Sequence, residues 1–181
     1  MCYSAEVSFL TWGFGMACAA FLAFTGHPIK TFAFPLVVTQ MQLVEGLRWI
    51  RALPDTVLAP LGKLVLYAQP AVGLFEAGQS QWILPYVIAQ AIAEFVGGSR
   101  DLRFVVAEDG HFSWKWLPNL LALLPYCVAL FYAAGILFPR WVNTILLGLL
   151  AYYLFGHLRY DTWGSLWCVS VNGLWIHYLL R

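Results

Sequence analysis

The chain has 181 residues, of which 61% are apolar and 10% charged, with a formal net charge of +1; an average soluble domain holds about 45–50% apolar and about 25% charged residues. That balance excludes a chain kept dispersed by its own surface charge, and membrane lipid is the expected partner. Scattered Lys and Arg form no basic face for a phosphate backbone, so nucleic acid is not an expected partner.

Seven apolar stretches, each roughly 16 to 22 residues and so about long enough to cross a bilayer as a helix, lie at 6–25, 32–50, 56–76, 81–97, 117–137, 141–157 and 161–180. The expected fold is all-α, a polytopic membrane bundle of seven transmembrane helices making one domain over 1–181. Thr25-Gly26-His27-Pro28, Leu53-Pro54-Asp55, Gly78-Gln79-Ser80 and Phe138-Pro139-Arg140 each join a helix stop to a helix start. Successive helices are therefore expected to be antiparallel neighbours.

The first stretch has no basic leader and no small-residue cleavage site, and it reads as a retained span rather than a secretory signal. Ser4 is its candidate N-cap, with Glu6 in the first turn. Removal of Met1 would expose Cys2 with an α-amine and a thiol able to bind metal, accept a lipid or act as a nucleophile. Cys2 is expected at the cytoplasmic mouth of the bundle. The four cysteines, Cys2, Cys18, Cys127 and Cys168, stand far apart and mostly within apolar runs. They read as small buried hydrophobes rather than a disulfide or zinc framework.

Polar and ionisable side chains inside apolar stretches are costly in lipid and mark candidate sites. The second stretch is the densest: Gln42, Glu45 and Trp49 share one helical stripe, with Arg48 about a turn beyond Glu45. It can present amide, carboxylate and indole together; the plainer alternative is a Glu45–Arg48 pair that neutralises itself and locks packing. Lys63 is the lysine within the third stretch. Glu94, one turn after Gln90, is expected either as an interfacial anchor or as a partner of Glu45 that shares a proton or binds a cation.

The long connection at 98–116 alternates like a sheet and carries Asp109-Gly110, which suits a two-residue type I′ turn. A short cytoplasmic β-hairpin between the fourth and fifth helices is expected, with Val105 opposite Trp114, Ala107 opposite Phe112 and Arg103 opposite Trp116. Its aromatic face should rest on the bundle mouth or on lipid headgroups, because a lone hairpin is marginal in water. His157, Arg159 and Asp161 bracket the last short turn. Beyond it, Gly164, Cys168 and Asn172 recur every four residues and permit close helix contact; alternatively Ser165, Cys168 and Asn172 line a cavity. His27 and His177 are placed at the outer side and His111 and His157 at the inner, so no three converge on a metal. The last stretch has no lysine for a retinal Schiff base. No cofactor is indicated.

Lys and Arg counting puts Arg51, Arg100, Arg103, Lys115 and Arg159 on one side against Lys30, Arg140 and Arg181 on the other. By that bias the protein lies in the inner (plasma) membrane with the N-terminus and hairpin cytoplasmic and the C-terminus outside. Met1-Cys2-Tyr3-Ser4-Ala5-Glu6-Val7-Ser8, Gln42-Leu43-Val44-Glu45 and Gly164-Ser165-Leu166-Trp167-Cys168 resemble an uncharacterised family of small multi-spanning membrane proteins of bacteria and large DNA viruses. Tyr3 stands where that family has tryptophan. The resemblance implies the span count and directs attention to Cys2, Glu45 and Cys168, without assigning them roles.

The function expected is a transporter or receptor for a small solute, ion or lipid. Its polar cavity would face the cytoplasm, lined from Cys2, Gln42, Glu45, Arg48, Trp49, Glu94, His157, Asp161, Ser165, Cys168 and Asn172, with the hairpin as a lid. The alternatives are a membrane-embedded enzyme acting on lipid through Cys2 or Cys168 with Glu45 and His157, or a structural accessory subunit. An oligomer is compatible with any of these.

Overall fold

The computed structural model describes residues 4–108, 110, 112–116, 122–140, 148 and 170–180. Over them the chain forms six α-helices: α1 (Ala5–Phe24), α2 (Ala33–Trp49), α3 (Asp55–Glu76), α4 (Ile83–Gly97), α5 (Leu124–Leu137) and α6 (Ser170–Leu179). A two-stranded antiparallel sheet, β1 (Phe104–Val106) with β2 (Phe112–Trp114), stands between α4 and α5.

The expected bundle of seven transmembrane helices is not what forms. Among the described residues only α1 and α3 are long and apolar enough to cross a membrane. Apolar runs overstate helix length, because turns within them are also apolar. α2, α4 and α5 have 17, 15 and 14 residues, hence about 26, 22 and 21 Å at 1.5 Å per residue, against about 30 Å of hydrocarbon. Single 3-10 turns lie in the connections at Ile29–Thr31 and Ser80–Trp82, the second taking up the first two residues of the expected 81–97 span. Nearly all of the stretch 141–157, and 161–169 of the last, fall outside the described residues.

Local sequence accounts for the helix ends. Ser4 caps α1 by accepting the Val7 N–H at 3.3 Å, with Glu6 in the first turn as expected. At the other end Gly26, at φ 88°, donates to the Ala23 carbonyl while His27 donates to Leu22 at 3.0 Å, the paired bonds of a Schellman stop. Gly78 and Gln79 repeat this after α3. After α2 the left-handed position belongs to Arg51, at φ 53°, where a side chain is strained and glycine would not be.

α2 lies between α1 and α3, with α6 against α1 and α2, and α5 packs on α3 and α4. Helices joined by the short connections run antiparallel, as the pairings Trp12–Gln40, Arg48–Asp55 and Lys63–Glu94 show. The closest approach is at Gly15. A Cβ there would meet Thr39 Oγ1 and Trp175 Nε1 at 2.7 Å, the two atoms that form the 2.8 Å hydrogen bond joining α2 to α6.

The hairpin forms one residue out of the expected register: Phe104 faces Trp114, Val105 faces Ser113 and Val106 faces Phe112. The Gly110 N–H donates to the Ala107 carbonyl at 3.0 Å and Gly110 sits at φ 78°, so the turn is wider than a two-residue Asp-Gly loop. A slip of one exchanges the faces of a strand. It puts Phe104 rather than Val105 beside Phe112, Trp114 and Trp116, and these four rings are buried. Burial of a phenylalanine outweighs the local turn preference.

Candidate functional site

Facing sides of α4 and α3 bring titratable and amide groups into one seam. Tyr86, Gln90 and Glu94 are spaced by four on α4, and Lys63 and Tyr67 by four on α3, so each set lies on one helical face. At the hairpin end Glu94 pairs with Lys63 and accepts the Tyr67 hydroxyl proton at 2.6 Å. Lys63 also donates to the Ser99 carbonyl at 3.0 Å, which ties the pair to the root of the hairpin. Deeper, the Tyr86 hydroxyl donates to the Tyr67 carbonyl at 2.8 Å and the Gln90 amide donates to the Ala122 carbonyl at 3.0 Å. Gln69, fully buried, accepts the Tyr126 hydroxyl proton at 2.8 Å.

Two atoms of this seam stand out. Gln69 Nε2 and Gln90 Oε1 are buried with no hydrogen-bond partner, and an orphaned buried amide costs about 1–3 kcal/mol. One is a donor and the other an acceptor, so a water or a small polar solute supplies what each lacks.

The hairpin is fastened over the same end. Arg48 Nε lies 2.6 Å from Asp55 Oδ1, close as an ion pair though not aligned as a hydrogen bond. The other Asp55 oxygen accepts the Phe104 N–H at 3.2 Å. Trp49 packs on Phe112 with ring centroids 4.3 Å apart, and Trp116 lies over Gly62, whose position would put a Cβ 2.8 Å from the indole. The aromatic face thus rests on α2 and α3. At the exposed hairpin root, hydrogen bonds from Arg103 hold the Asp101 carboxyl down at about 2.

These positions revise the sequence-level site. Gln42 and Glu45 are fully buried on α2 as expected. Arg48 turns to Asp55, the Phe104 carbonyl and the Phe112 ring rather than to Glu45. Glu94 pairs with Lys63 and accepts the Tyr67 hydroxyl proton. Asn172 is half-buried on α6, with Oδ1 enclosed and unpartnered. Cys2, His157, Asp161, Ser165 and Cys168 lie outside the described residues, and so does the expected gathering of Cys2 with the last turn. Tyr67, Gln69, Tyr86 and Tyr126 are absent from the sequence-level site, although the spacing of 86, 90 and 94 carries a readable signal. No group of three His, Cys, Asp or Glu able to hold a metal occurs among the described residues.

No family model matches the chain, and neither a curated protein nor a solved structure does.

Proposed function

We propose that this chain sits in lipid and binds or carries a small solute or ion along the α3–α4–α5 seam, entered from the hairpin end. The observation that carries the reading is an apolar surface over a core that also encloses polar groups. Ser8, Thr39, Gln42, Glu45, Gln69 and Gln90 are buried, while Leu10, Phe24, Leu64, Ile92, Phe95 and Val128 face outward, Phe24 and Phe95 each 92% exposed. Large exposed apolar side chains, with polar groups kept inside an apolar core, match a lipid solvent. The Lys63–Glu94 pair is then the charged gate to the two orphaned amides, and the hairpin its cover. Orientation in the inner membrane, with the N-terminus and hairpin cytoplasmic, is supported by the Lys and Arg bias.

The test uses the purified full chain. Proteoliposomes loaded with a pH-sensitive dye report proton flux under an imposed potential, and melting in detergent reports stabilisation by a panel of small solutes. Flux or stabilisation that falls in Glu94→Gln supports the seam. Absence of both in the parent chain, or their persistence unchanged in Glu94→Gln, overturns it.

A further inference from the structure

Among the described residues three helices stop by the same pair of backbone bonds. After α1 the Gly26 N–H donates to Ala23 and that of His27 to Leu22; after α3 Gly78 donates to Phe75 and Gln79 to Leu74. After α2 Arg51 donates to the Arg48 carbonyl at 3.1 Å and Ala52 to the Leu47 carbonyl at 3.0 Å. The first donor of each pair has positive φ: 88° at Gly26, 72° at Gly78 and 53° at Arg51. Glycine takes that backbone without a Cβ penalty, and arginine does not. A strained position held by a large charged side chain points to work for that side chain beyond the stop itself.

The two glycine stops lie at one end of the bundle and Arg51 at the other, the hairpin end. Arg48, Lys63 and Arg103 at this end are paired with Asp55, Glu94 and Asp101. Arg51 is exposed, and its guanidinium makes no ion pair or hydrogen bond among the described residues. Its neighbours are hydrocarbon: Ile50 is 55% exposed, and Leu53 and Val57 also face outward. α4 ends in the same manner. Phe95 and Val96 face outward from its last turn, and Arg100 follows, exposed and equally unpartnered among the described residues. Exposed hydrocarbon followed by a free guanidinium, repeated where two helices end on one surface, is the profile of a bilayer boundary. There, carbon side chains lie among acyl chains and cations among phosphates.

From this we infer that Arg51 binds the phosphate of an anionic phospholipid, with Ile50, Leu53 and Val57 beside the acyl chains and Arg100 as a second contact in the same headgroup layer. The planar fork of a guanidinium can take two phosphate oxygens at once. Anionic rather than zwitterionic lipid is selected because no protein carboxylate neutralises either arginine, and a headgroup ammonium would compete with them for the phosphate. The inference rests on the reading that the chain sits in lipid, and not on passage of solute along the seam.

The experiment is native mass spectrometry of the detergent-solubilised full chain with equimolar phosphatidylglycerol and phosphatidylcholine of matched acyl chains, alongside melting in the same detergent without lipid. The parent chain is expected to retain phosphatidylglycerol in preference. Arg51→Gly should lower that preference about fivefold, the scale of one arginine at an anionic surface. It should also raise the lipid-free melting temperature by about 2–4 °C, because the backbone strain is relieved. Arg51→Lys should keep most of the preference and melt as the parent does. Greater stability with weaker lipid selection separates a lost ligand contact from a damaged fold. Equal retention of both lipids by the parent, or an unchanged preference in Arg51→Gly, overturns the inference. Displacement of phosphatidylglycerol by inorganic phosphate, where chloride at equal ionic strength has no effect, would assign Arg51 to a free anion and overturn the lipid. A chain that does not float with phosphatidylcholine vesicles overturns the placement in lipid as well, whereas one that floats and shows no preference overturns this inference alone.

Discussion

At the hairpin end each of three carboxylates meets a cation: Asp55 meets Arg48, Glu94 meets Lys63 and Asp101 meets Arg103. At the other end Glu76 accepts the Phe34 backbone N–H and the Tyr178 hydroxyl proton, and so ties α3 to α2 and α6. The difference concerns what each carboxylate fastens. Ion pairing consumes charge at the hairpin end, so what that end offers inward is the orphaned amides of Gln69 and Gln90. The Phe34 N–H and the Tyr178 hydroxyl position the Glu76 carboxylate, and a pocket lies beside it. Coverage differs as well. Four aromatic rings seal the hairpin end, whereas His27 at the other rim is exposed.

The largest expected effect is at the seal. Gly62 is the floor on which Trp116 lies, and a Cβ there would come 2.8 Å from the indole. Gly62→Val should destabilise the chain by about 1–3 kcal/mol through overpacking and expose Trp116 to aqueous quenchers. Equilibrium denaturation in detergent with iodide quenching measures both. A variant as stable and as shielded as the parent would mean that the hairpin is not seated on α3, and the contrast in coverage would disappear.

At the opposite end Tyr178→Phe removes one donor to Glu76 and one tie of α6. The expected loss is about 1 kcal/mol, read as a lower melting temperature and faster amide exchange over Ser170–Leu179. Unchanged exchange would show that the Trp175–Thr39 bond suffices to dock the helix, and that the phenol does not position Glu76.

The smallest effect belongs to Asp101, which is half-buried at the hairpin root. Its folded pKa is lowered from 3.8 to about 2 by hydrogen bonds from Arg103. A depressed carboxyl contributes stability that is present above its unfolded value and lost as pH falls through the folded one. Tryptophan emission from the hairpin should therefore change between about pH 4 and pH 2, and Asp101→Asn should flatten that step. An identical step in the variant would assign it to another group.

Much of the helical part of the fold was legible in the chain because helix boundaries are set locally. Gly26, Gly78 and Pro54 stop or start helices through their own backbone preferences, and Ser4 caps through its own hydroxyl. The burial of Gln42 and Glu45 was legible for a similar reason: polar groups in an apolar helix turn inward wherever the surroundings are apolar. The candidate site was half legible. Glu94, Arg48 and Trp49 were identifiable as the chemistry-bearing groups of their helices, but their partners stand 31, 7 and 63 positions away, in Lys63, Asp55 and Phe112.

Composition and periodicity by themselves determined that this is an apolar, mainly helical chain with a hairpin in its one long connection, because each of those properties depends on neighbours within a few residues. Tertiary structure alone decided which register the hairpin takes and which charges pair. The strand register follows from burying Phe104 against rings that include Trp49, far off in sequence. The Glu76 pocket exists because α2 begins and α6 docks beside the last turn of α3. Nothing in the residues next to Glu76 announces that its carboxylate caps a helix starting 43 positions earlier, at Ala33, since the contact is made only when the chain folds back on itself.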